Sequence, residues 1–269
     1  DSVCYTEKPD SETFMEEWLS LVKSKSGERG IFNRISAQNQ ASKWNRRDPS
    51  LTYGTNPCSE IILRDKQFCN LTEVVVRPTD TEETLAEKVK IATILGTLQS
   101  TLTHFQFLSS EWKKNTEEER LLGVSLTGIM DCKLTSKPNP EMLERLRQIA
   151  RDTNEKYSRR IDVLPSTAIT CVKPSGTVSQ LVDSASGIHS RHNVFYIRRI
   201  RMDKKDPVYS FLKEQGVEVE DEKLRPDSTA VFSFPIKAPK NAVFRDDKTV
   251  IVMNKHLMRI VIRRLTQKC

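Results

Sequence analysis

The sequence predicts an α/β domain built on parallel strands. Short apolar runs rich in Val and Ile alternate with longer segments of helical periodicity along most of the 269 residues. Helix caps and turn residues fall at the joints between them. Hydrophobic residues make up 37% and charged residues 29%, so a sizeable core is within reach, while no apolar run approaches the roughly 20 residues of a membrane span.

The elements follow in order. Phe14, Trp18, Leu21 and Val22 recur at helical spacing from Ser11 to Lys25, with Ser11 as cap and Gly27 as stop. "SGERGIFN" reads as a turn and a short strand, and Arg34 to Tyr53 as a polar surface excursion. "SEIILRDKQFCNLTEVVV" reads as two extended pieces around a polar turn at Arg64 to Gln67, which returns Cys69 toward Cys58. Thr81 to Phe107 is a long helix with Leu85, Val89, Ala92 and Leu95 on its stripe and Asp80 or Thr81 as cap. "RLLGVSLTGIMDC" is a buried strand or a helix start, and periodicity alone leaves both open. A helix starts at Asn139 with Pro140 in its first position. A strand from Ala168 to Val172, a turn from Lys173 to Gly176 and a helix start come next. "VFYIRRIRM" and "TAVFSFPIKAP" are strands, separated by a short helix that Gly216 ends.

Net charge is +7, which suits polyanionic partners, nucleic acid or phosphorylated small molecules; a solvated basic surface is the plain alternative. Cys4, Cys58, Cys69, Cys132, Cys171 and Cys269 include no C-x-x-C pair, and the four histidines form no zinc pattern, so no metal site is expected. Unpaired cysteines fit a reducing, cytoplasmic setting. The opening "DSVCYTEKPD" has neither an initiator Met nor a signal peptide and reads as the middle of a longer protein.

Two motifs can carry chemistry. In "TNPCSEI" an extended backbone would turn Asn56, Cys58 and Glu60 to one side. A thiol between an amide and a carboxylate can grip two sugar hydroxyls, with Glu60 as base, while the sulfur reacts. A surface turn with a structural cysteine is the plain alternative. In "TCVKPSGTVSQ" Pro174 stiffens a turn, Gly176 lets a ligand approach, Ser175 and Thr177 offer hydroxyls, and the helix start at Val178 aims N–H groups at an anion. It lacks Walker spacing, and taken alone the motif is better explained by an ordinary capped turn.

"TNPCSEIIL", "FCNLTEVVV", "RLLGVSLTGIMD", "ITCVKPSGTVSQL" and "SGIHSRHNVFYIRRIR" together resemble the catalytic barrel of ribonucleotide reductases, nearest their adenosylcobalamin-dependent class and its monomeric triphosphate-reducing members. "SGERGIFN" and "FSFPIKAP" fit too, so the resemblance runs from about Asp1 to Lys248. It implies a partial α/β barrel, ten-stranded in complete relatives, with a central cysteine finger loop. Cys58 would carry a thiyl radical formed with adenosylcobalamin, Glu60 would take the 3′-hydroxyl proton, and Asn56 would hold the sugar hydroxyls. Cys69 would be one member of the redox dithiol, and Pro174, Ser175, Gly176, Thr177 and Val178 would hold the substrate phosphates. The implied partners are a ribonucleoside tri- or diphosphate, thioredoxin or a similar dithiol acting through a missing C-terminal tail, and an allosteric deoxynucleotide bound by a missing N-terminal part. Neither a membrane nor nucleic acid is expected as a direct partner.

The departures are specific. Ser59 stands where relatives carry Gly or Ala. The upstream partner of Cys69 is not found, and Cys4, in a strand-like segment, is not assigned that role. Residues 249–269 leave the family pattern; Leu257, Ile260, Val261 and Leu265 would line a basic amphipathic helix unless the reading frame has changed, and Cys269 has no companion there. The chain alone is therefore expected to have little activity. Cys132 and Cys171 read as core cysteines, His189 and His192 as ligand contacts or structural groups, and Arg198, Arg199 and Arg201 as a solvated or ion-paired face, with direct substrate contact as the alternative. The rival readings are a degenerate nucleotide- or nucleic-acid-binding fragment, and a reductase subunit that uses another radical source.

Overall fold

The computed structural model describes residues 2–25, 30–43, 46–137 and 139–245. Strand β1 (Ser2–Tyr5) pairs in parallel with β2 (Gly30–Asn33) across helix α1 (Ser11–Ser24). Asp10, not Ser11, caps α1: its carboxylate accepts the Thr13 N–H at 2.9 Å. The expected stop at Gly27 lies outside the described residues.

The expected excursion after β2 instead begins with helix α2 (Arg34–Ser42), capped by Asn33. Its small Ala37 and Ala41 pack on Tyr53, so little apolar sequence was needed to bury it. Strands β3 (Tyr53–Thr55) and β4 (Ile62–Arg64) form an antiparallel hairpin with Thr55 opposite Ile62, and residues 56–61 are its loop.

The core lies behind strands β5 (Asn70–Val75) and β6 (Leu122–Thr127), a parallel pair in which Leu71 faces Gly123 and Glu73 faces Ser125. Val74, Leu122 and Val124 point to one side, onto helix α3 (Glu82–Gln99) and helix α6 (Pro140–Arg160) through Leu85, Val89, Met142 and Leu146. A Thr81/Thr84 capping box starts α3, which ends eight residues short of Phe107. Its buried face continues through Thr93, Gly96 and Thr97, while Leu95 is 56% exposed, contrary to the expected stripe. Here Asn154 of α6 donates to Thr97 Oγ1 at 2.9 Å, so a polar contact takes the place of an aliphatic one. Helix α4 (Ser110–Glu119) was not expected.

A 3-10 turn (Ile129–Asp131) and the four-residue helix α5 (Lys133–Ser136) lead to α6, which begins with the expected Asn139 cap and Pro140. The strand expected at 168–172 is reduced to one bridge, Thr170 beside Val124, which lies parallel on the free edge of β6. After the four-residue helix α7 (Val178–Leu181), β7 (Phe195–Asp203), helix α8 (Pro207–Glu214), β8 (Val219–Asp221) and β9 (Thr229–Lys237) form an antiparallel sheet in the order β7-β9-β8. Arg199 and Arg201 pair there with Glu220 and Glu222.

The α/β class and its two parallel strand pairs therefore stand. The hairpin and the last sheet are antiparallel; short loops return the chain directly from β3 to β4 and from β8 to β9, while β7 reaches β9 by way of α8 and β8. Among the described residues no ladder joins the sheets into a closed barrel. No helix among them is long and apolar enough to cross a membrane. The expected C-terminal helix lies outside the described residues.

Candidate functional site

The hairpin loop 56–61 is held by its own backbone. Ser59 N–H donates to the Asn56 carbonyl at 2.9 Å, closing a β-turn with Pro57 in the position that its fixed φ suits. Ser59, at φ +61°, occupies the left-handed region that favours glycine. Asn56 N–H donates to the Ile61 carbonyl at 3.3 Å, and the Asn56 side-chain oxygen accepts the Ile61 N–H at 3.0 Å.

That geometry corrects the extended arrangement. The run is a turn, so the alternation of an extended strand does not govern Asn56, Cys58 and Glu60. The Asn56 carbonyl is committed to the loop. Cys58 stands exposed near the tip, while the Glu60 side chain turns inward and is only 1% exposed. Glu60 Oε1 accepts from Lys173 Nζ at 3.1 Å; Glu60 Oε2 is buried with no hydrogen-bond partner.

Lys173 opens the second motif, so this ion pair joins the two stretches singled out in the sequence. Lys173 N–H donates to Ser125 Oγ at 3.0 Å. Ser175, at φ +52° and buried, donates to Glu73 Oε2, and its carbonyl accepts from Ser179 Oγ. Pro174, Gly176, Thr177 and Val178 are exposed, and a Cβ on Gly176 would meet open space. The loop thus has a buried anchor at Ser175 and an open rim. Helix α7 is too short to make its N-terminus an anion site by itself, and Thr177 gives it no side-chain cap.

Cys69 is half-buried immediately before β5, in the apolar cluster of Ile61, Leu121 and Cys171. Burial, then the charge of Glu60, pushes its thiol pKa up. Burial, then Glu60, pushes the Cys171 thiol up to about 12. Burial works against the Lys173 ammonium, but its hydrogen bond and charge interaction with Glu60 outweigh that and hold its pKa above the ordinary lysine value; the charges of Cys58 and Glu73 act in the same direction. Cys171 is no disulfide partner for Cys69. β6 lies between their strands, and two strand spacings separate backbones by roughly 9.6 Å, beyond the roughly 7 Å Cα limit of a disulfide. Cys4, on β1, pairs with Phe32.

Comparison with known proteins decides the relationship. The adenosylcobalamin-dependent ribonucleoside-triphosphate reductase of Lactobacillus acidophilus is 30% identical over 244 residues, covering 79% of this chain and 32% of that enzyme. Its namesake in Levilactobacillus brevis is 31% identical over 246 residues, with the same two shares. The chain is homologous to part of the adenosylcobalamin-dependent ribonucleotide reductases. It spans about a third of the length of these curated relatives. A crystal structure of a B12-dependent, class II ribonucleotide reductase shares the fold, with a TM-score of 0.62 at 22% identity over 90% of this chain and 42% of that one. No family model matches the chain.

The reductase resemblance drew attention to Cys58, Glu60, Asn56, Cys69 and residues 174–178, but not to Lys173, Glu73 or Ser125. Strand alternation carried a signal for two of them. Cys69, Leu71 and Glu73 share one side of β5, and Gly123 and Ser125 share the same side of β6. His189 and His192 are both exposed; the His189 ring contacts the Ser186 carbonyl at 3.1 Å, and His192 stands edge-on to Tyr196. Cys132 is buried, as expected of a core cysteine.

Proposed function

We propose that this chain carries the radical-bearing and phosphate-binding segments of a reductase that converts ribonucleoside triphosphates to 2′-deoxyribonucleotides. One observation carries the reading: on a single stitched loop a thiol is exposed while a carboxylate oxygen two residues on is buried and unpartnered, and that carboxylate is tied to the expected phosphate loop. The exposed thiol fits a radical source that approaches from outside the loop. Adenosylcobalamin, when bound, would supply that radical by cleavage of its cobalt–carbon bond.

The chain's own residues take the following roles. As a thiyl radical, Cys58 abstracts the 3′ hydrogen of the ribose. Glu60 Oε2 accepts the 3′-hydroxyl proton, the one lone-pair-bearing oxygen of that carboxylate without a partner. The Asn56 amide N–H groups remain for a sugar hydroxyl, since its carbonyl holds the loop. The 2′-hydroxyl leaves as water, two thiols give two electrons and two protons as they become a disulfide, and Cys58 returns a hydrogen to C3′ while Glu60 returns the proton to the 3′ oxygen. Cys69 is one of these thiols; Cys171 is not taken as the other, because β6 lies between their strands. The Ser175 anchor and the rim at Gly176, Thr177 and Val178 receive the phosphates. Residues 1–248 act as one catalytic unit, and a dithiol protein such as thioredoxin, a deoxynucleotide effector and the cytoplasm complete the reading.

The test is exchange of the 3′ hydrogen in the full-length protein with its cofactor and a dithiol. Wild type should release tritium from a 3′-labelled ribonucleoside triphosphate, and Cys58→Ala should abolish release while the fold remains. Undiminished release from Cys58→Ala would refute the assignment. Absence of release from wild type, with nucleic-acid binding that falls steeply with salt, would favour the binding reading of the +7 charge.

A further inference from the structure

We propose that Lys173 is a positioning residue for Glu60: its ammonium occupies Oε1 and thereby leaves Oε2 as the single acceptor aimed at the reacting sugar. The proposal rests on the functional reading above and adds a residue to it.

Three features fix the lysine. Its backbone N–H is tied to Ser125 Oγ at 3.0 Å, and Ser125 is itself buried in β6. Its carbonyl is packed under Gly187, at φ +48°, where an added Cβ would come within 2.6 Å of Lys173 O and 2.8 Å of Pro174 O. Its side chain then reaches the carboxylate at 3.1 Å across 113 residues of sequence. A Glu carboxylate with both oxygens free can rotate and present either one. With Oε1 held, rotation would break a charge-assisted hydrogen bond in a site where the carboxylate is 1% exposed, so the orientation is set before substrate arrives. The lysine stays charged throughout the physiological range, which suits a permanent clamp.

A lysine beside a phosphate loop could instead read the phosphate. The two roles separate in a double-mutant cycle on the full-length protein. Lys173→Met should lower kcat by about tenfold or more while the Kd of the ribonucleoside triphosphate, measured by calorimetry without cofactor, stays within about threefold. Lys173→Arg should restore most of kcat. Lys173→Met combined with Glu60→Gln should be no slower than Glu60→Gln alone, because the lysine acts through that carboxylate. Should Lys173→Met fail to fold, Lys173→Gln enters the same cycle.

Additive losses in the double variant overturn the proposal. So does a tenfold loss of nucleotide binding with kcat unchanged. Full turnover by Glu60→Gln would overturn the functional reading itself and the proposal with it, a failure distinct from additivity with Glu60 essential.

Discussion

The hairpin that carries Cys58 is pinned from below by a buried ion pair, and removal of one partner should loosen it. Arg47 donates to Glu119 through Nε at 2.9 Å and Nη2 at 2.8 Å, and its Nη1 reaches the Ile62 carbonyl of β4 at 2.9 Å. Gln67 donates to the same carboxylate, and the guanidinium lies 4.7 Å from the centre of the Tyr53 ring of β3. The two charged side chains are 7% and 6% exposed, so solvent screens the pair little. Glu119→Gln leaves the Arg47 charge buried without its counter-ion, at a cost of roughly 3–5 kcal/mol, about a hundredfold or more in the folding equilibrium. Replacing the pair together, Arg47→Met with Glu119→Leu, should recover most of that, because both desolvation costs vanish with the charges. Urea unfolding measures each variant. The pH dependence supplies a second reading. Burial tends to raise the Glu119 pKa, but Arg47 and Gln67 outweigh it and hold the carboxyl below its ordinary value. A depressed folded pKa means that this stability is present above the unfolded value, roughly pH 4, and is lost as pH falls through the folded one. Glu119→Gln should flatten that acid loss. A cost under about 1 kcal/mol with an unchanged acid limb would refute the pinning argument.

Three further outcomes follow from the packing. A Cβ at position 123 would lie 2.3 Å from Leu71 Cδ2, 3.0 Å from Cys171 Sγ and 3.1 Å from Ile61 Cδ1, so Gly123→Ala should cost about 1–3 kcal/mol by thermal unfolding and displace the end of the loop at Ile61; no loss of stability would mean that this side of β6 is looser than it stands. In the folded protein a thiol reagent should modify exposed Cys58 at once and leave buried Cys132 and Cys171 until unfolding. Because the folded Cys171 thiol holds its proton to about pH 12, the unfolded chain releases a proton first, and stability should fall as pH rises above about 9, by roughly a kcal/mol per pH unit; early labelling of Cys171 or an alkaline plateau would count against that burial.

Local pattern revealed much of this molecule. Helix α6 announced itself by cap and period, α1 by period and α8 by the Gly216 that follows it, and strands β5, β7 and β9 by apolar composition. Long-range partners were invisible to it. Arg47 sits in a polar run that reads as surface, yet it is buried because Glu119 waits 72 residues away. Leu95 fits the helical stripe, yet Thr97 is buried on α3 because Asn154 offers it a partner. At the candidate site the residue types were legible and the geometry was not. Pro57 already argued against an extended run, since it favours the turn that Ser59 closes. Lys173 read as an ordinary turn residue until the fold brought Glu60 to it.

The turn also divides the labour of the motif better than a strand would. In a strand, thiol, amide and carboxylate would share one environment, and a burial that protects one would confine all three. In the hairpin loop, which turns over residues 56–59, one sulfur is exposed while a carboxylate two residues away is enclosed. In the proposed function the thiol meets a radical source, which needs access. A carboxylate that takes a proton needs a fixed direction and little water around it. Pro57, the left-handed Ser59 and the Asn56–Ile61 bonds supply that separation within six residues, and Lys173 holds its inner end.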